Sequence, residues 1–246
     1  MMKVKLLCFL MFCAFANEVS AQQDQRVSYT AHQVTAKIHI DGQMDTTWHS
    51  DQWSKNWKDI VTGEDGLYRT RFKSTWNEDY LYFLVEAIDP DISASIDTNH
   101  APLFKYDHII ELFLDPHGDQ RNYYELQINA LGARWELTLD KPYAQGGKAS
   151  SPNQLDNLRY AIGINGTLND ASDIDHSWIV EIAIPWSSMD KIDVTSALPH
   201  PDMRINLSRV FQDDKDVDTP GKYWLWQPMG AFNIHKPDDW GLLQFR

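Results

Sequence analysis

Residues 107–136 read DHIIELFLDPHGDQRNYYELQINALGARWE, and they divide into a strand, a turn and a second strand. In the first strand His108, Ile110, Leu112 and Leu114 share one parity, and Asp107, Ile109, Glu111, Phe113 and Asp115 share the other. In the second, Tyr124, Leu126, Ile128 and Ala130 alternate with Tyr123, Glu125, Gln127 and Asn129. Successive side chains of a strand point to opposite faces, so each strand has one oily face and one on which polar groups sit among apolar ones. Asp115-Pro116-His117-Gly118-Asp119 is the turn, because Pro fixes φ and Gly accepts a backbone conformation other residues resist. This reading sets Glu111, Glu125 and Gln127 on the working face of a β-sandwich.

The flanking sequence repeats the pattern. Residues 70–76 and 80–89 form a hairpin across Asn77-Glu78-Asp79, with Phe72, Leu81, Phe83, Val85 and Ala87 inward and Glu86 outward. Further strands are expected over 37–40, 135–139, 160–168, 177–184, 204–211, 223–226 and 242–245, with Glu181 pointing away from Trp178, Val180, Ile182 and Ile184. Pro185 opens one helical turn. Residues 92–106 and 141–157 lack a period and read as long loops, which in compact domains are often functional. Trp48, Trp53 and Trp57 lie in an irregular stretch and are expected to plug one end of the fold. Short strands, few helix signals and many turns specify an all-β protein: two antiparallel sheets with their oily faces together, immunoglobulin-like or jelly-roll in style.

Lys3 and Lys5 precede an apolar run from Leu6 to Phe15, and Val19-Ser20-Ala21 has the small residues of a cleavage site. Residues 1–21 are therefore expected to be a secretory leader, residues 22–34 a short tether or first edge strand, and residues 35–246 the domain. Both cysteines, Cys8 and Cys13, fall in the leader, so the exported chain has no disulfide or thiolate chemistry. Its destination is the periplasm or the outside of the cell, with no membrane insertion after cleavage. The remaining chain has 20 basic against 34 acidic residues, which argues against nucleic acid and anionic lipid as partners. Ten Trp and ten Tyr are core material in a β-protein and also stacking platforms for sugar rings.

Several charges interrupt apolar strands: Arg71, Glu86, Glu111, Glu125, Glu181 and Arg209. A buried charge is costly unless paired, so these side chains pair, face solvent or serve a ligand. Glu111, flanked on its own face by Ile109 and Phe113, is the strongest candidate for an enclosed site. Glu111 and Glu125 also have the residue types of a glycoside-hydrolase carboxylate pair, but nothing in the sequence fixes their separation. The chain contains no Gly-x-Ser-x-Gly elbow and no His-Glu-x-x-His motif. Asp89, Asp91 and Asp97 in one loop, and the acidic run Asp213, Asp214, Asp216 and Asp218 in another, are candidate calcium ligands, with Asp89 and Asp91 the leading pair.

A set of motifs follows in order: Ile40-Asp41-Gly42-x-x-Asp45-x-x-Trp48, Trp76-Asn77-Glu78-Asp79-Tyr80-Leu81-Tyr82 and Asp107-x-x-x-Glu111-Leu112-Phe113-Leu114-Asp115-Pro116. Then come Tyr123-Tyr124-Glu125-x-x-x-Asn129-x-x-Gly132, Trp178-x-x-Glu181-Ile182-Ala183-Ile184-Pro185, Asn206-x-x-Arg209 and Trp240-Gly241-x-Leu243-x-Phe245. This set resembles the family 9 carbohydrate-binding modules and their DOMON-like relatives, from about residue 35 to the end. The resemblance implies a β-sandwich that binds the ends of glycan chains, clamps a sugar ring between two tryptophans and carries structural calcium. It implies that Glu111 is the sugar-bonding glutamate, that Gln127 lies near the place of an arginine, and that Arg209 matches an arginine of many relatives. The clamp positions depart from the pattern: Leu103-Phe104-Lys105-Tyr106 and Phe232-Asn233-Ile234-His235 stand where tryptophans are expected. Phe104, Tyr106, Phe232 and Trp226 become the stacking candidates. Two other readings stay open. DOMON-like relatives hold haem through Met and His, for which Met189, Met203, Met229, His108 and His235 are candidates. The alternative is an envelope interaction domain that has lost its sugar site.

Overall fold

The computed structural model describes residues 26–44, 46–48, 52–150, 155–192, 202–212 and 221–246. The expected leader, Asp45 and the acidic run at 213–218 lie outside the described residues. The strands in chain order are β1 (Ser28–Gln33), β2 (Lys58–Asp59), β3 (Thr70–Trp76), β4 (Tyr80–Ile88), β5 (Ile109–Asp115), β6 (Tyr123–Asn129), β7 (Arg134–Leu139), β8 (Ala149–Ser150), β9 (Arg159–Asn165), β10 (Ser177–Pro185), β11 (Asp202–Phe211), β12 (Lys222–Leu225) and β13 (Gly241–Phe245).

They form one curled sheet in the order β8-β7-β6-β5-β11-β13-β1-β3-β4-β10-β9, with β12 on β11 and β2 on β12. Its two halves, β8 to β13 and β3 to β9, pack face to face as the expected sandwich. Every pairing is antiparallel except those of β1, which runs parallel to β13 over Ser28–Ala31 and to β3 at His32 and Gln33. Neither tether nor edge strand describes Ser28–Gln33: it crosses from one sheet to the other and joins them. Strands that switch sheets make the corners of such packings.

The core is the sum of the inward parities. Phe72, Leu81, Phe83, Val85, Ala87, Val180, Ile182 and Ile184 of one half meet Ile110, Leu112, Leu114, Leu126, Ile128, Ile205 and Leu207 of the other. Burying each such side chain contributes roughly 1.5–3 kcal/mol, and the alternating period makes the two sheets present these residues to each other.

Residues 37–40 are not a strand, although Lys-Ile-His-Ile alternates. The strands they lie over, β4 and β10, have both edges occupied. Instead Ile38 and Trp48 lie across the outer face of the β3–β9 half, on Tyr82, Leu84 and Ala183. Glu181 fastens this cover. Its Oε2 accepts the backbone N–H groups of Asp41 (2.9 Å) and Gly42 (2.8 Å), and its Oε1 accepts the Trp48 indole N–H (2.8 Å). Gly42 is required here: its φ is +82°, and a Cβ would lie 2.5 Å from the carbonyl oxygen of Ile162. The Asp41-Gly42…Trp48 motif is thus explained by a buried carboxylate and its three donors. Glu86 has a simpler role, pairing with Arg71 at 2.7 Å on the partly exposed face.

Replacing Glu181 with alanine strands three donors and frees the cover. Glu181→Ala is expected to lower unfolding stability by on the order of 3 kcal/mol, read from the urea midpoint. A loss below about 0.5 kcal/mol would show that the clasp contributes little.

Candidate functional site

The outer face of β5, β6, β7, β11 and β12 carries the polar residues that the alternation singled out. Register places Glu111 opposite Gln127, Gln127 opposite Trp135, and Glu111 opposite Ser208, so one row runs across four strands. Glu125 lies opposite Phe113, one step along the same face and diagonal to Glu111. Diagonal neighbours on a sheet stand roughly 7 Å apart.

The loop before β5 brings a ring to this row, and Asp107 holds it there. The Asp107 carboxylate accepts the N–H and hydroxyl of Ser95 (both 2.7 Å), the N–H of Ile96 (3.0 Å) and the Asn129 amide (2.7 Å). The pinned loop closes with a 3-10 turn, Leu103–Lys105, whose Phe104 N–H donates to Gln127 Oε1 at 3.3 Å. The Phe104 ring is parallel to Trp135, with centroids 6.3 Å apart. From the other side β12 supplies Tyr223, which meets Phe232 edge-on at 5.1 Å. Tyr143 and His235 are in edge contact at 4.7 Å, and His235 Nδ1 is 3.2 Å from the Tyr123 hydroxyl.

Glu111, Glu125 and Gln127 are only 2–3% exposed, whereas Phe232 is 60% and Tyr143 46% exposed. The two rings are thus open to solvent, while the three polar groups are withdrawn from it. Within the row the Ser208 hydroxyl donates to Glu111 Oε2, and Gln127 Nε2 donates to Glu125 Oε1 at 2.6 Å. Glu125 Oε2 has no hydrogen-bond partner. Burial, with the Glu125 charge added, raises the Glu111 carboxyl to about 8, and burial raises Glu125 to about 7. Burial and then Glu111 and Glu125 hold the Tyr223 phenol above its usual range, which places that ring within the field of both carboxylates. Burial holds His235 down at about 4, so it is neutral at physiological pH.

Glu111, Glu125, Gln127, Phe104 and Phe232 therefore belong to one region of the outer face. Arg209 and Trp226 do not, and their assignment as ligand contacts is corrected. Arg209 lies opposite Ile110 and Trp224, on the inward parity, and is fully buried. It donates to Asp89 Oδ2 and to the Ile88 carbonyl, both at 2.7 Å, with the rings of Phe211, Trp224 and Tyr68 about it. Trp226 stands edge-on to Phe72 in the core at 5.1 Å. Tyr106 lines a separate hollow of about 690 Å³ with His108, Phe211 and Tyr68.

The placement of Asp89 also bears on its candidacy as a calcium ligand. Its Oδ2 is held by Arg209 and by His108 Nδ1 (3.1 Å), and its Oδ1 accepts the Asp91 N–H at 3.3 Å. Asp89 is thus engaged by a guanidinium, and Asp91 is exposed. Among the described residues no group of three His, Cys, Asp or Glu side chains converges as metal ligands. Of the haem candidates, His108 has both ring nitrogens engaged, the second with the Gln212 carbonyl at 2.9 Å, and Met189 and Met203 lie in the main core.

Sequence reasoning missed Trp135, Tyr223, Tyr143 and Ser208. Trp135 was findable, since its parity follows from Leu137 and Leu139; the other three depend on tertiary register.

The described residues include no helix long and apolar enough to cross a membrane. Similarity to known proteins agrees with this architecture. The chain is 28% identical over 193 residues to the exoglucanase XynX of Acetivibrio thermocellus, covering 73% of this chain and 15% of that protein. It is 26% identical over 153 residues to the endo-1,4-beta-xylanase A of Thermoanaerobacterium saccharolyticum, covering 61% of this chain and 11% of that one. It thus spans only a small part of these relatives. Among solved structures, a candidate carbohydrate-binding protein from Bacteroides uniformis superposes with a TM-score of 0.66 at 17% identity, over 90% of this chain and 100% of that one. A family 9 carbohydrate-binding module from Caldicellulosiruptor kristjanssonii in complex with cellotriose gives 0.58 at 15% identity, over 89% and 93%.

The raised carboxyls fix a pH dependence. The folded state holds protons on Glu111 and Glu125 that the unfolded state has released above about 4.5, so stability falls as pH rises from there to about 8. His235 acts in the opposite direction, but only between about 4 and 6.5. Between pH 6.5 and 8.5 the thermal midpoint is expected to fall, and to fall less in Glu111→Gln. Equal slopes in the two proteins would refute the assignment. Arg209→Ala is expected to cost about 3–5 kcal/mol in urea unfolding, because it strands the buried Asp89.

The model of the carbohydrate family 9 binding domain-like family matches residues 40–246, almost all of the described sandwich, and the chain belongs to that family.

Proposed function

We propose that this chain is a non-catalytic carbohydrate-binding domain whose outer sheet face captures sugar rings. The observation that carries the reading is the row Ser208–Glu111–Gln127–Trp135 rimmed by Phe104, Tyr223 and Phe232. Sugars present polar edges and apolar ring faces. A site of buried acceptors and amides among rings matches both, as ligand sites with few convergent polar groups generally do. Family membership and the fold shared with a cellotriose-bound module support it.

Glu111 and Glu125 lie side by side on one sheet face. In place of two clamp tryptophans the rim offers phenylalanine and tyrosine rings, with Trp135 behind Phe104. The reading includes export through the leader at residues 1–21, which brings the domain to polymeric sugars outside the cytoplasm.

Titration calorimetry with cello- and xylo-oligosaccharides tests the proposal. Binding is expected, with Phe232→Ala and Glu111→Ala each weakening it about tenfold or more, since each removes a stacking ring or a buried hydrogen-bonding carboxyl. Absence of heat with every oligosaccharide would sink the reading.

A further inference from the structure

The two buried carboxyls of the proposed sugar-binding face have hydrogen-bonding capacity that the protein leaves unmet. Glu125 is 3% exposed, yet one of its oxygens, Oε2, has no partner and the other accepts only the neutral Gln127 amide. Glu111, also 3% exposed, has one donor, the Ser208 hydroxyl. Among the described residues no lysine or arginine pairs with either group. Lys105 is 5.9 Å from the Phe104 ring and lines the neighbouring hollow with Tyr106. His235 is neutral through burial, and the phenols of Tyr123, Tyr143 and Tyr223 are held protonated.

Other deep carboxylates of this fold are treated differently. Asp107 accepts four hydrogen bonds and Glu181 three. Buried polar groups are ordinarily bonded, so an orphan oxygen inside a ring-lined site marks the place of an absent donor. Two acids and several rings together favour an organic cation, whose charge is bonded by carboxylate and attracted by ring faces. A hard metal ion fits less well: it takes six or more oxygens, and the site offers two carboxylates and one amide oxygen already bonded to Phe104.

Resting on the carbohydrate-binding reading, we propose that the preferred sugar carries a protonated amine, as in a β-1,4-linked 2-amino sugar, with its ammonium bonded to Glu125 Oε2 and facing Glu111. The selectivity then lies in Glu125, and the rings and Glu111 bind the common sugar frame.

The test compares three trimers that differ only at carbon 2: cellotriose, its 2-amino counterpart and the N-acetylated form of that counterpart. With the full chain at pH 7, the amino trimer is expected to bind about tenfold tighter than the other two, the difference between a charged and a neutral hydrogen bond. Glu125→Gln keeps the side chain's shape and removes the buried charge, and is expected to reduce the preference to about twofold or less. Raising the pH to about 9 with the unaltered protein deprotonates the ligand amine and should abolish the preference without any substitution. Equal or tighter binding of cellotriose at pH 7 overturns the inference and leaves carbohydrate binding intact. So does a rise in thermal midpoint with calcium chloride alone when the amino trimer shows no advantage. Failure of all three trimers to bind refutes the carbohydrate reading itself.

Discussion

A carboxylate taken out of water must be met by donors, and this fold is arranged around how each of its buried acids is met. Asp107 gathers the loop before β5 by accepting from Ser95, Ile96 and Asn129. Asp89 accepts the Arg209 guanidinium between the sheets, and Glu181 accepts the backbone of the segment that covers the far face. Each of these acids is a staple between pieces of chain remote in sequence. Leaving any of them unmet would cost several kcal/mol, comparable with a large part of a domain's net stability. The same rule applied to Glu111 and Glu125 gives a different result, because each has a single neutral donor. Asp107, Asp89 and Glu181 are each met by two or more donors, whereas Glu111 and Glu125 are each met by one.

That contrast explains why parity alone took the sequence reading so far. In β5 and β6 the alternation of apolar and polar residues predicts both strands, their turn and the face that carries Glu111, Glu125 and Gln127, since a strand's period is two. The hairpin of β3 and β4 was legible for the same reason. Where parity and family resemblance disagreed, parity was the better guide. Leu207, Arg209 and Phe211 share a face, and that face is the core, so Arg209 is a partner of Asp89. Trp226 follows, through the pairing of Arg209 with Trp224.

What was not legible depends on which elements neighbour which. The alternation of residues 37–40 satisfies a strand template, but a strand also needs an unpaired edge, and sheet order is a tertiary property. The rim has the same limitation. Phe104 and Phe232 were reachable because they fall at set places before Asp107 and Trp240. Tyr223 and Ser208 enter only because β12 and β5 pair with β11 in a particular register. Trp135 was within reach, since the pairing of β6 with β7 across a short turn sets it opposite Gln127.

The unmet acids carry a cost that the folded state sustains. Holding Glu111 and Glu125 out of water favours their protonated forms, so the free domain gives up stability as pH rises through neutrality. On the proposed reading, a ligand that supplied donors would remove this cost as it bound, and its affinity would include that relief as well as new contacts. Rings at the rim exclude water around those donors and strengthen each bond they make. On the proposed reading, the side chains that weaken the free protein are the ones through which a ligand would stabilise it. Replacing them by apolar residues of similar volume would give a firmer sandwich without these two titrating groups.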